Sequence, residues 1–371
     1  MLRMLNRREL LVGSVGAALT VGRRAYGKPP TKANMDALVA AEVNGHAETA
    51  GIVAVLIDEA GSHVVAHGHS GTADNAVLGE DTVFEIGSLT KVFTALILAD
   101  MSARGEVAMT DPVAKYLPDS VRVPHLQSPI TLIDLATYTS GLPNLPGNLK
   151  GDMRNPYADY TLENLYAFLG ELGLKSEPGT HYAYANVGFG LLGIALARRA
   201  GLSFEELMVQ RICDPLNLRA TRITLTGDMR GLVAQGHDHH FNATPLWDLP
   251  TLAGAGAARS TARDTTIFLK ACMDRQLTPL APSFRRLLQT RKPTGISGTD
   301  VGLGWFISRD ARDEIVWKSG RTGGFSTNIA FSTRSQRGSV VLANAPFDAI
   351  SLGLVLINPK FRPRNFGALF S

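Results

Sequence analysis

The chain has 371 residues, more than one ordinary domain of about 150 residues, which suits two domains or one large composite one. It is 45% hydrophobic and 19% charged, and its 37 glycines and 19 prolines fall without a period, so disordered, collagen-like and low-complexity chains are excluded. The formal charge of +4 does not describe a basic body: five of the 37 bases (Arg3, Arg7, Arg8, Arg23, Arg24) and one of the 33 acids (Glu9) fall in residues 1–27, leaving equal numbers beyond, so a nucleic-acid partner is not indicated.

Residues 1–27 read as an export signal. A paired arginine, Arg7-Arg8, precedes the weakly apolar stretch Leu10–Val21, which is too short to span a bilayer. Ala25-Tyr26-Gly27 offers a small-x-small cleavage site. The twin arginine and basic flank resemble a Tat leader, which predicts a periplasmic or secreted protein with no stable membrane span. A Sec leader or a frayed N-terminal helix is the alternative.

Beyond the leader, a helix is expected over Met35–Asn44. Gly51–Asp58 and His63–His67, split by a Gly/Ser turn, read as a β-hairpin, with His63, His67 and His69 facing solvent. A short strand Thr82–Ile86 gives way at Gly87 to helical periodicity from Ser88. Residues 106–250 read as helix and loop. Thr131–Thr139 and Thr161–Leu172 start on threonine caps, Asn186–Ala200 ends at Gly201, and Ser203–Glu206 is a capping box. Strand character returns in Gly302–Ile307, Glu314–Trp317, Ser326–Phe331 and Ser339–Ala343, and Phe347–Ile357 reads as a last helix. The expected class is α/β (α+β): an antiparallel sheet built from both chain ends and flanked by helices, plus an inserted, mainly helical lobe. The expected division is 28–105 with 251–371 as the α/β lobe and 106–250 as the helical one, with a cleft between. Cys213 and Cys272 sit in apolar helical patterns without Cys-x-x-Cys spacing; buried thiols or one disulfide both remain open.

Three short motifs carry chemistry. Ser88-x-x-Lys91 puts a hydroxyl at a helix start, where the dipole favours negative charge, and an amine one turn on along the same face. A serine needs an adjacent base, and a lysine serves as one when burial or another cation lowers its pKa. Tyr184-x-Asn186 precedes an apolar helix; Tyr184 supplies an acid/base hydroxyl, and Asn186 an amide as well as a helix N-cap. Lys318-Ser319-Gly320 can hold a carboxylate, with Gly320 letting substrate backbone lie close to the strand; a glycine-rich turn is the bland alternative.

In this order and these contexts the motifs resemble the serine β-lactamases and penicillin-binding DD-peptidases, most closely the class C β-lactamase group. Ile130–Pro143, Pro178–Thr180, Gly201–Phe204 and Gly302–Trp305 extend the resemblance over most of the chain. It implies the β-lactamase/transpeptidase-like fold and a hydrolase acylated on Ser88, with Lys91 and Tyr184 moving the proton. Asn186 would hold a substrate amide, Lys318 and Ser319 a carboxylate, and the N–H groups of Ser88 and Arg321 the oxyanion. It implies no cofactor. The substrate would be a β-lactam or a D-Ala-D-Ala cell-wall peptide. Two departures stand out. Asn144-Leu145 follows Pro143 where class C enzymes usually carry a glutamine, and Gly254–Ser260 lacks their pocket tyrosine. Both resemble the DD-carboxypeptidase/endopeptidase members instead. A carboxylesterase on the same fold, and a penicillin-binding receptor that acylates without turnover, are the alternatives. His237-Asp238-His239-His240 is a weak metal signal, since only His237 and His239 would share a strand face; no metal is expected.

Overall fold

Seven consecutive buried residues, Gly51–Ile57, make a strand covered on both faces, and the sheet grows outward from it. The structure, a computed structural model, describes residues 31–72, 77–274, 277–361 and 366–370, so the export signal expected in 1–27 lies outside the described residues. The strands in chain order are β1 (Gly51–Asp58), β2 (Gly61–Gly68), β3 (Val83–Glu85), β4 (Gly236–His237), β5 (Ala243–Thr244), β6 (Arg259–Thr261), β7 (Lys292–Pro293), β8 (Thr299–Val301), β9 (Phe306–Arg309), β10 (Glu314–Arg321), β11 (Ser326–Ser332) and β12 (Gly338–Ala343). Eight of them form one antiparallel sheet in the order β2-β1-β12-β11-β10-β9-β8-β7. The N-terminal strand therefore pairs with the C-terminal one, Ile52 opposite Ala343.

Alternation along β1 sends Val53, Val55 and Ile57 into the main core. Ile52, Ala54 and Leu56 join a second core with Met35 and Val39 of helix Lys32–Val43 and Leu352 and Leu356 of helix Ala349–Ile357. Helix Ala262–Cys272 packs on the other face against β12, β1 and β11, and helix Thr90–Ala103, buried almost throughout, belongs to the same core. Between β3 and β6 the chain runs mainly through helices, including Leu132–Ala136, Leu162–Glu171 and Asn186–Ala200. The expected caps are made: Thr161 and Asn164 exchange bonds, as do Ser203 and Glu206, and Gly201 takes φ +68° at the helix end.

Two local expectations change, and the question left open for the cysteines is answered. The run Gly302–Ile307 is a strand only from Phe306; Gly304 at φ +75° turns the chain, and the strands before the turn are the unforeseen β7 and β8. His63 and His67 are half-buried and bonded to Asp58 (3.3 Å) and Asp36 (2.9 Å), because helix Lys32–Val43 lies over that face of β2. Cys213 and Cys272 are both free thiols.

Two buried polar residues lock the frame. Asn344, just past β12, is fully buried; its Oδ1 accepts from Gly51 N at 2.7 Å, and its Nδ2 donates to the carbonyls of His69, Ser70 and Gln235 at 3.3, 3.0 and 2.9 Å. Glu85 of β3 faces Arg259 of β6, accepts from Trp247 N at 2.7 Å and lies 3.5 Å from the Arg259 guanidinium. Burial pushes its carboxyl up to about 7, against the pull of Thr322, Arg259 and Trp247.

Asn344→Ala leaves four backbone groups without their partner and should destabilise the fold by about 3 kcal/mol in urea unfolding. For Glu85, the folded state holds its proton between about pH 4.5 and about 7 while the unfolded chain has released it. Stability should therefore fall as pH rises through that window. Urea unfolding of Glu85→Gln should lack this loss, which is on the order of 1–3 kcal/mol in the parent.

Candidate active site

Ser88 sits in a single 3₁₀ turn, Gly87–Leu89, between β3 and helix Thr90–Ala103. Gly87 is at φ +50°, and a Cβ there would lie 2.8 Å from Arg321 N, so only glycine lets the turn rest against the end of β10. Ser88 and Arg321, 233 positions apart in the sequence, are thereby neighbours and line one cavity. Gly320 is needed for a related reason. A Cβ on it would meet Ile86 O at 2.0 Å, so the strand can lie this close to the turn before Ser88 only with glycine here.

Lys91 is fully buried one turn after Ser88. Its Nζ lies 2.9 Å from Ser88 Oγ, 2.6 Å from Asn186 Oδ1 and 2.6 Å from Ala255 O. Burial drives its pKa well down, and it forms no ion pair with a described residue. Asn186 does not cap its helix: the N-cap position belongs to Ala185, and the Asn186 side chain turns to Lys91 instead. Tyr184 is 7% exposed. Its hydroxyl faces those of Ser88 and Tyr138, while burial raises its pKa strongly. Lys91 Nζ lies 5.1 Å from the Tyr184 ring centre.

Lys318 is the second fully buried lysine. It lies within β10, which runs through Arg321 and does not turn at Lys318-Ser319-Gly320. Its Nζ donates to Tyr138 Oη at 2.6 Å and faces the rings of Phe306, Tyr184 and Tyr138 at 4.6, 4.7 and 5.0 Å. Burial first, then the nearby Lys91, lowers its pKa well below the usual value. Ser319 follows at 8% exposed.

Tyr138 was not legible in the sequence. It adopts φ +58°, uncommon for a tyrosine, and stacks on Tyr184 with ring centres 4.8 Å apart. It links the two lysines through one aromatic pair. Nor does any pattern announce the Ala255 carbonyl, a backbone acceptor from a four-residue helical turn. A cavity of ≈ 30 Å³ reaches Ser88 and is walled by Tyr157, Asn186, Trp247, Leu249 and Arg321. Trp247 is fixed there by Glu85, by its indole N–H to Arg154 O (2.9 Å) and by an edge contact with Tyr157. His237 is buried with Nδ1 3.1 Å from Asn344 O, while the His239 and His240 rings face each other at 3.9 Å. Among the described residues no group of three or more His, Cys, Asp or Glu side chains is arranged to hold a metal.

A family model described as Beta-lactamase matches residues 35–350. The D-alanyl-D-alanine-carboxypeptidase/endopeptidase AmpH of Escherichia coli (strain K12) is 31% identical over 315 residues, covering 80% of each chain. A β-lactamase of the same strain is 28% identical over 330 residues, covering 79% of this chain and 84% of that one. In shape, the chain resembles the crystal structure of a β-lactamase/D-alanine carboxypeptidase from Yersinia pestis complexed with citrate. The TM-score is 0.74 at 25% identity, over 88% of this chain and 97% of that one.

Proposed function

The chain belongs to the β-lactamase family and is a serine hydrolase of the class C β-lactamase/DD-carboxypeptidase type, and from that premise we propose that it works through an acyl-enzyme on Ser88, with β-lactams or D-Ala-D-Ala peptides as substrates. The observation that carries this reading is the set of partners around Lys91 Nζ. Two of them, Asn186 Oδ1 and Ala255 O, can only accept. The third, the Ser88 hydroxyl, can donate. An ammonium could donate to all three, whereas a neutral amine donates two N–H bonds and offers its lone pair to the Ser88 hydroxyl; burial favours the neutral form. Lys91 is then the base that takes the Ser88 proton as Oγ attacks the carbonyl.

Tyr184 keeps its proton, because its buried phenol ionises with difficulty. It serves as a neutral donor and relay: it passes a proton to the leaving amine and recovers one from Lys91. The N–H groups of Ser88 and Arg321 would hold the oxyanion, a role whose loss typically costs about 10²–10³ in rate per donor. A substrate carboxylate approaching Lys318 and Ser319 would draw a proton onto Lys318, since an opposite charge restores the ionised form. Water then releases the acyl group. The similarity to a DD-carboxypeptidase/endopeptidase and the absence of the class C pocket tyrosine and glutamine favour the peptide substrate. Residues 1–27, as a Tat-like leader, would place this chemistry in the periplasm or outside the cell.

The deciding experiment is a time course with a chromogenic cephalosporin and intact mass at intervals. Ser88→Ala should show no covalent adduct and lose about 10³-fold or more of the turnover, with unfolding unchanged within about 1 kcal/mol; retained turnover would overturn the mechanism. Lys318→Ala should reduce kcat/KM for carboxylate-bearing substrates at least about tenfold more than for neutral aryl esters. Equal losses would remove its carboxylate role and bring the esterase reading forward.

A further inference from the structure

The last described segment, Phe366–Phe370, follows the final helix and ends on the catalytic aromatics. Tyr182 Oη donates to Leu369 O at 2.6 Å, and Leu369 is 1% exposed. The Phe370 ring meets the Tyr184 ring edge-on at 5.2 Å and the Phe306 ring edge-on at 5.6 Å. Those two rings are the nearest faces to Lys318 Nζ. From solvent inward the order is therefore Phe370, then Tyr184 and Phe306, then the amine, and Lys318 is sealed completely. The cavity that reaches Ser88 is lined by Tyr157, Asn186 and Trp247 among others, and neither Lys318 nor Tyr184 nor Phe370 lines it.

We propose that Phe366–Phe370 is a wall of the leaving-group side of the site, with Phe370 as a specificity-determining residue. This rests on the acyl-enzyme reading above, in which the leaving group and its carboxylate lie toward Lys318. With Phe370 docked on Tyr184 and Phe306, the space that a substrate carboxylate opens on reaching Lys318 is bounded on that side, so it fits one small residue and excludes longer peptide leaving groups. Tyr182 is the latch that holds the wall. Its hydroxyl contributes a bond to the wall's backbone and none to the Ser88–Lys91 group.

The test uses Phe370→Ala, which trims the wall, and Tyr182→Phe, which releases it while keeping every wall side chain. Two readouts are taken on the full chain. The first is kcat/KM for an acyl-peptide ending in D-Ala-D-Ala against the same peptide extended by one residue. Both variants should raise the extended-to-short ratio by about tenfold or more, the scale on which a pocket discriminates a group of this size. An unchanged ratio overturns the specificity role. The second is labelling of Lys318 by an N-hydroxysuccinimide acetate ester, read by peptide mass, which needs no enzymatic activity. Lys318 should be protected in the parent and labelled several-fold faster in both variants; equal labelling overturns the wall whatever the substrate is. If neither peptide is turned over and penicillin leaves Ser88 unmodified in parent and variants alike, the acyl-enzyme reading falls. The labelling alone then decides whether the wall exists.

Discussion

An amine sealed from water at Lys91 is the constraint that organises this molecule. A fully buried ammonium without a carboxylate partner is strongly disfavoured, so the site can exist only if the amine is neutral or richly hydrogen-bonded. Its three partners come from three places: the turn at Ser88, the start of helix Asn186–Ala200, and the short helix Ala253–Gly256. Holding them within 3 Å of one nitrogen demands very close packing behind the site. Gly254 shows how this is met: a Cβ there would stand 2.8 Å from Phe189 O and 3.0 Å from Gly193 Cα. The helix and the Ala253–Gly256 turn touch backbone to backbone, and that contact presents both Ala255 O and Asn186 to the lysine.

Lys318 repeats the problem on the sheet side. Its amine is enclosed by three aromatic rings and one phenol oxygen, and the proximity of Lys91 makes a second positive charge still less favourable. The aromatic pair Tyr138–Tyr184 separates the two amines and touches both. Tyr138 holds a left-handed backbone conformation to do so, a strain of order 1–3 kcal/mol that the surrounding packing must offset. Such strain is tolerated where several contacts over-determine a residue. Here the Lys318 bond, the stack on Tyr184 and the tilted contact with Phe189 supply them.

What could be read from the sequence was whatever local chemistry dictates. The capping boxes at Thr161 and Ser203, the glycine end at Gly201 and the β-branched runs of β1, β11 and β12 are decided within a few residues. The side chains that the three motifs named, Ser88, Lys91, Tyr184, Asn186 and Lys318, do come together in the fold. What escaped depends on long-range contact. Asn186 looked like a helix cap because asparagine before an apolar run usually is one, yet a lysine 95 residues earlier takes its oxygen. Asn344 carries no local signal; its four bonds all cross between distant segments. The Phe366–Phe370 segment has no period at all, and its place follows only from the aromatic surface waiting at Tyr184 and Phe306.

The pairing of β1 with β12 explains why the motifs cannot be divided among independent pieces. Ser88 follows β1 and β2 in the chain, and Lys318 precedes β11 and β12. The two are brought together because the sheet joins the two ends of the chain through β1 and β12. The turn at Ser88 packs on β10 through Gly87 and Gly320, contacts that permit no side chain on either partner. A shift of β10 by one residue would move Lys318 to the opposite face and drive a Cβ into Ile86 O. Sheet register thus sets the distance between Ser88 and the second amine, and the geometry of the candidate site is inherited from the same backbone pairing that makes the core.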